Sequence, residues 1–105
     1  MRRGEVWWAE LPPPIGKRPV FLLSRDVVYR VRTSVTVAVI TRTIRGIPVE
    51  VPIGLDDGMP VRCVVNADDI ITIPKSILTE RITALLPGKI ADITKAVIYA
   101  LDLQV

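Results

Sequence analysis

The sequence contains no histidine, only one cysteine and few aromatic residues. Without histidine, the usual zinc sites and the Ser/His and Cys/His nucleophile systems are excluded or nearly so. The lone Cys63 has no internal disulfide partner. In the strand-like run Val61-Arg-Cys-Val-Val65 it reads as a buried apolar filler, which suits a reducing cytosol. No Gly-x-x-x-x-Gly-Lys-Ser/Thr loop is present, so P-loop chemistry is excluded. Asp56-Asp57 and Asp68-Asp69 are the acidic pairs that would have to hold magnesium. Adjacent strand residues point to opposite faces, which works against chelation, so neither a metal nor a cofactor is expected.

Long apolar runs are also missing. A membrane-spanning helix needs roughly 20 consecutive apolar residues, and the dense stretch from Val35 to Ile40 is already broken by Thr36. The N-terminus is charged but lacks an apolar signal region, and Glu10 and three prolines follow at once. A cytoplasmic chain with no membrane segment is the expectation. Yet half the residues are hydrophobic and the mean hydropathy is +0.40. Apolar surface hidden in an oligomer accounts for that excess. The 105 residues suit one domain spanning 1–105.

Charge is unevenly spread. Residues 1–45 hold nine Lys/Arg against three acids, a balance of +6; residues 46–105 hold five against eight, a balance of −3. A basic half points to a polyanion partner, nucleic acid being the usual one, or simply to a solvated basic surface.

Short β-branched runs separated by Pro, Gly and Asp predict a mainly β domain of about seven strands. The strands are expected over residues 4–11, 18–24, 34–41, 49–53, 61–66, 70–73 and 79–85. Residues 12–16, Pro-Pro-Pro-Ile-Gly, read as a stiff loop. Asp26 suits the N-cap of a short helical turn to Arg32. Pro52 marks an edge strand, with Glu50 alternating against Val49 and Val51. Pro74 opens a helical turn through Leu78. Ile90, Ile93, Val97 and Leu101 recur at helical spacing, and Pro87 suits the first turn of that helix. The sum is a compact barrel or half-barrel closed by one C-terminal helix.

Arginine and hydroxyl chemistry remains. Arg18 lies where the stiff loop enters a buried strand, and Pro19 restricts it to extended geometry. A fixed guanidinium suits a phosphate, since two parallel N–H donors match two oxygens. The structural alternative is a rim arginine paired with Glu10 or Glu50. Thr41 and Thr43 end the third strand, where a hydroxyl either holds a phosphate oxygen or merely favours β structure. Trp7 or Trp8, Tyr29 and the arginines Arg25 and Arg42 are candidates for base contacts; alternation along the first strand puts one tryptophan in the core and the other at the surface or dimer rim, with neither expected in the active site.

Taken in order, these segments resemble the MazF/PemK toxin family. Arg3-Gly-Glu-Val-Trp-Trp8 is similar to its opening strand, and Lys17-Arg-Pro-Val-Phe-Leu-Leu-Ser24 to its second. Val39-Ile-Thr-Arg-Thr-Ile-Arg-Gly-Ile-Pro48 with Val49-Glu-Val51 is similar to its third strand and turn. Cys63-Val-Val-Asn-Ala-Asp-Asp-Ile70 and Ala100-Leu-Asp-Leu103 are similar to later stretches. Two departures stand out. The loop after the first strand is short, and Asn66 stands where some members have a basic residue.

The resemblance implies an SH3-like β-barrel with a C-terminal α-helix, a homodimer, and a toxin that cuts single-stranded RNA at short sequences. It also implies an antitoxin whose disordered tail covers the RNA groove. By position, Arg18 and Thr41 match the catalytic arginine and threonine, and Asp68 a position where some members carry a functional Asp. Lys17, Arg25, Arg42 and Thr43 are the expected RNA-binding residues. The expected reaction is attack by the ribose 2′-OH, leaving a 2′,3′-cyclic phosphate and a 5′-OH. Two rivals are a gyrase poison of the same architecture and a non-catalytic nucleic-acid-binding barrel. The ending Asp102-Leu-Gln-Val105 lacks the Trp-Gly-Ile tail of the gyrase poisons. A third rival is an inactive relic of the toxin family.

Overall fold

The computed structural model describes residues 1–104. Val105, the last residue of the tail weighed above, lies outside them.

Six antiparallel strands form one curled sheet in the order β4-β5-β3-β2-β1-β6. They are β1 (Glu5–Leu11), β2 (Gly16–Leu22), β3 (Ser34–Thr41), β4 (Glu50–Ile53), β5 (Cys63–Pro74) and β6 (Leu78–Ala84). Helix α1 (Val28–Val31) links β2 to β3, and α2 (Pro87–Leu101) closes the chain. Among the described residues no helix is long and apolar enough to cross a membrane.

The centre of the sheet is buried on both faces, because β3 and the end of β2 are apolar at nearly every position. On β3, Val35 and Val37 enter one cluster with Val20, Leu22 and Tyr29. Ala38 and Ile40 enter another with Val6, Phe21 and Ile93 of α2. Phe21 is fully buried, and its loss to Ala would cost about 3–5 kcal/mol. Helix α2 docks closely at Gly4 (φ 95°), where an added Cβ would stand 2.5 Å from Ile90 Cδ1.

The mainly β half-barrel with its C-terminal helix is as expected, but the strand count is six. The fifth and sixth expected strands are one continuous β5. The two aspartates that suggested a break there form a bulge instead. Ala38 pairs with Ile70 and Ile40 with Val65, so two steps along β3 span five along β5. Asn66 Oδ1 stabilises the extra residues by accepting the Asp68 N–H at 3.0 Å.

Three local expectations are corrected. Asp26 does not cap α1: Val27 is the N-cap, with no side-chain bond, and Asp26 Oδ1 accepts the Arg3 main-chain N–H at 2.7 Å. The pull of a longer-range donor outweighs a helix of only four residues. Glu50 does not face outward but is buried. Leu101 leaves the helix stripe and is exposed, while Ala96 completes the buried face with Ile93. Pro52, by contrast, does sit exposed on an edge strand, β4.

Candidate functional site

The main irregularity lies between β2 and β3. Their ladder runs Leu22↔Val37, Phe21↔Ala38, Val20↔Val39 and stops. The β1–β2 ladder continues through Pro19 to Gly16. Leu23 donates its N–H to Thr36 O, on the β3 side, and Leu22 O accepts the Gly4 N–H, on the β1 side. Counting back by twos, the amide of residue 19 faces β3, where proline has no hydrogen to give. The two strands therefore part at Pro19.

Arg18 and Thr41 line the opening. Extended by two places, the register sets Arg18 across from Thr41, and cross-strand partners share a face. Both border a hollow of about 280 Å³ with Ile15, Val39, Arg45, Asn66, Asp69 and Ile71. The β5 bulge supplies Asn66 and Asp69 from the other side of β3. Thus a missing donor on one side of β3 and extra residues on the other expose the end of a central strand. Arg18 makes no ion pair among the described residues; Glu10 and Glu50 do not neutralise it.

The loop after β3 completes one wall. Thr43 donates its N–H to Thr41 Oγ1 at 3.1 Å, which leaves the Thr41 hydroxyl hydrogen free. Glu50 Oε1 accepts the N–H groups of Arg45 (2.8 Å) and Gly46 (3.0 Å).

A second hollow of about 510 Å³ adjoins the first and shares Ile15 and Arg18 with it. Its walls include Trp8, Ile40, Met59, Val61 and Cys63, with Lys17 and Arg42 among the bordering residues. Lys17 Nζ lies 5.0 Å from the Trp8 ring centroid, within cation–π range. Arg18 thus stands between two hollows, the smaller bordered by more polar residues than the larger.

Five of the expected residues gather here: Arg18 and Thr41 in the smaller hollow, Lys17 and Arg42 in the larger one, and Thr43 on the connecting loop. Asp68 does not line the smaller hollow; it is an exposed residue of the bulge, and Asp69, the next residue along, lines the hollow instead. Arg25 stands apart, in a hollow shared with Arg32, Ser24 and Thr36. Against expectation, Trp8 borders the site; Trp7 packs against the core and donates Nε1–H to Glu5 at 3.0 Å. Tyr29 is buried in the core and is no base platform. Arg45, Asn66 and Asp69 were not singled out for this site from sequence. Of these, Arg45 carried a signal, as the last cation before the Gly-Ile-Pro turn.

Residues 2–101 match the model of the PemK-like, MazF-like toxin of type II toxin-antitoxin systems. The chain is 42% identical over 93 residues to the probable endoribonuclease MazF2 of Mycobacterium tuberculosis, covering 88% of this chain and 89% of that one. It superimposes on the M. tuberculosis toxin MazF-mt6 with a TM-score of 0.88 at 37% identity, covering 96% and 99% of the two chains. An endoribonuclease from a mycobacterial species, solved in complex with its cognate antitoxin, gives a TM-score of 0.88 at 28% identity, covering 100% and 98%.

Proposed function

The chain belongs to the family of PemK-like, MazF-like toxins of type II toxin–antitoxin systems, and we propose that it is an endoribonuclease that cuts single-stranded RNA without a metal ion, through Arg18 and Thr41. The carrying observation is that these two side chains share one face of the sheet and one hollow, at a break in the β2–β3 ladder.

The chain has no histidine to activate an external nucleophile, so the RNA supplies its own. The ribose 2′-OH attacks the adjacent phosphorus, the P–O5′ bond breaks, and the products are a 2′,3′-cyclic phosphate and a 5′-OH. Negative charge gathers on the phosphoryl oxygens during the displacement. Arg18 stabilises it with two directed N–H donors, and Thr41 orients the same group with its free hydroxyl hydrogen. A guanidinium, with a pKa above about 12, is a poor proton relay, so electrostatic stabilisation is its duty. The proton lost by the 2′-OH passes to a carboxylate or to water, and the departing 5′-oxygen takes its proton from water. Asp69 is the carboxylate that borders the hollow.

The adjoining larger hollow takes unpaired bases, with Lys17, Arg42 and Thr43 along the backbone path. The partner is an antitoxin whose disordered tail lies in the same groove. The exposed apolar residues Val27, Val31, Tyr99, Leu101 and Leu103 supply surface for a homodimer. The reaction takes place in the cytoplasm, where the lone thiol stays reduced. Incubation of the purified chain with single-stranded RNA in EDTA tests the reading. Fragments ending in 2′,3′-cyclic phosphate support it, and intact RNA refutes it.

A further inference from the structure

Glu50 is the buried charged residue of the core, with its side chain 2% exposed. One carboxylate oxygen, Oε1, is used fully: it accepts the main-chain N–H groups of Arg45 and Gly46. The other, Oε2, is buried and has no hydrogen-bond partner. Its nearest cation is the Arg45 guanidinium, whose Nη1 lies 3.9 Å away on a side chain that is 59% exposed.

A buried carboxylate is costly unless it is paired. Fixing the loop does not require the charge, because a glutamine carbonyl would accept the same two N–H groups. What the charge adds is attraction for Arg45. At 3.9 Å the pair is too long for a hydrogen bond, so the guanidinium is held by charge while its hydrogens stay unused. Arg45 also borders the hollow that contains Arg18 and Thr41.

We propose that Glu50 is a positioning residue for RNA binding and cleavage: its buried carboxylate fixes the loop over residues 42–49 and holds the Arg45 guanidinium at the Arg18–Thr41 hollow, with that guanidinium's donors left free for a phosphate of the RNA backbone. Arg45 is then a second cationic ligand of the substrate, acting beside Arg18. This inference rests on the nuclease reading, but it makes a claim about binding that stands apart from cleavage.

The test is a double-mutant cycle on Glu50→Gln and Arg45→Ala. Cleavage of a random-sequence single-stranded RNA pool is measured alongside binding of its 2′-O-methyl counterpart, which lacks the attacking hydroxyl. Arg45→Ala should weaken binding about tenfold and lower the slope of log affinity against log salt by about 0.7, the value for one phosphate contact on a single strand. Glu50→Gln should lose a comparable factor, mostly in KM, while its melting temperature stays within a few degrees of the parent. In the Arg45→Ala background, Glu50→Gln should cost nothing further, because it acts through that guanidinium.

Losses that multiply in the double variant would make Glu50 a purely structural residue and overturn the proposal. Should Glu50→Gln not fold, Arg45→Ala decides alone: an unchanged salt slope and unchanged binding overturn it, and the predicted drop supports it. Binding that follows this pattern in a parent that cuts nothing would remove the nuclease reading and leave the Glu50–Arg45 pair standing.

Discussion

Arg18 and Thr41 border one hollow where β2 and β3 part, two places along the register beyond Val20↔Val39. If Arg18 is the main stabiliser of phosphoryl charge, Arg18→Ala should lower kcat by about 10²–10³, the cost of one lost oxyanion donor. Thr41→Val keeps the β-branched shape and removes the hydroxyl. A hydrogen bond to a charged group is worth about 1.5–3 kcal/mol, so that variant should fall about ten- to a hundredfold. Single-turnover cleavage of an RNA oligonucleotide measures both, and equal losses would argue that the pair acts as one unit.

If the missing Pro19 donor opens the gap, its effect is separable from folding. Pro19→Val restores an N–H that faces β3 and allows the ladder to extend toward Ile40. The new bond gains about 1 kcal/mol. Losing proline's restriction of the unfolded chain costs about 0.4–1 kcal/mol. These nearly cancel, so thermal unfolding should shift by no more than a few degrees. Cleavage should nevertheless drop at least about tenfold as the strands close between Arg18 and Thr41. A variant as active as the parent would mean that the opening does not depend on the missing donor.

Much of this architecture was legible in the residues, and the misses share a cause. Strand positions followed from β-branched runs, and the helix from Ile90, Ile93 and Val97. These are local patterns read against a fixed period. The Arg18-Pro19 step could be read because proline acts on its immediate neighbours. The bulge at Asn66–Asp69 could not, because its extra residues exist only relative to β3. A break between two strands and a bulge within one look the same in a single sequence. Glu50 failed likewise: alternation with Val49 and Val51 placed it in solvent, and Pro52 on the same face is indeed exposed, but the Glu50 carboxylate turns back to satisfy a loop five residues upstream.

The bulge decides which aspartate borders the hollow. In a regular strand Asp68 and Asp69 would point to opposite faces with nothing to choose between them. Here Asp69 borders the hollow and Asp68 does not. Asp69→Asn should therefore slow cleavage at least about tenfold, and up to about a hundredfold if its carboxylate takes the 2′-OH proton. Asp68→Asn should cleave at the parental rate. Initial rates across pH would separate the two cases, because loss of a base flattens the acid limb of the profile. The reverse ranking of the two variants would return the role to Asp68.

Two buried groups set the behaviour of the fold in alkali. Burial pushes the Cys63 thiol up, and Asp57 adds to the shift. Burial, with Asp26 behind it, raises the Tyr29 phenol well above its ordinary value. In the unfolded chain the thiol releases its proton near about pH 8.5 and the phenol near about pH 10. Above those values the unfolded state binds fewer protons than the native one, so stability falls as pH rises. Below about pH 8 both states keep these protons and neither group contributes a slope. The melting temperature should therefore decline from about pH 9 upward, by an amount that Cys63→Ala reduces from its onset, while the steepening above about pH 10 that Tyr29 adds remains. A parental curve that stays level from about pH 9 to 11 would show that neither proton is held more tightly in the folded chain.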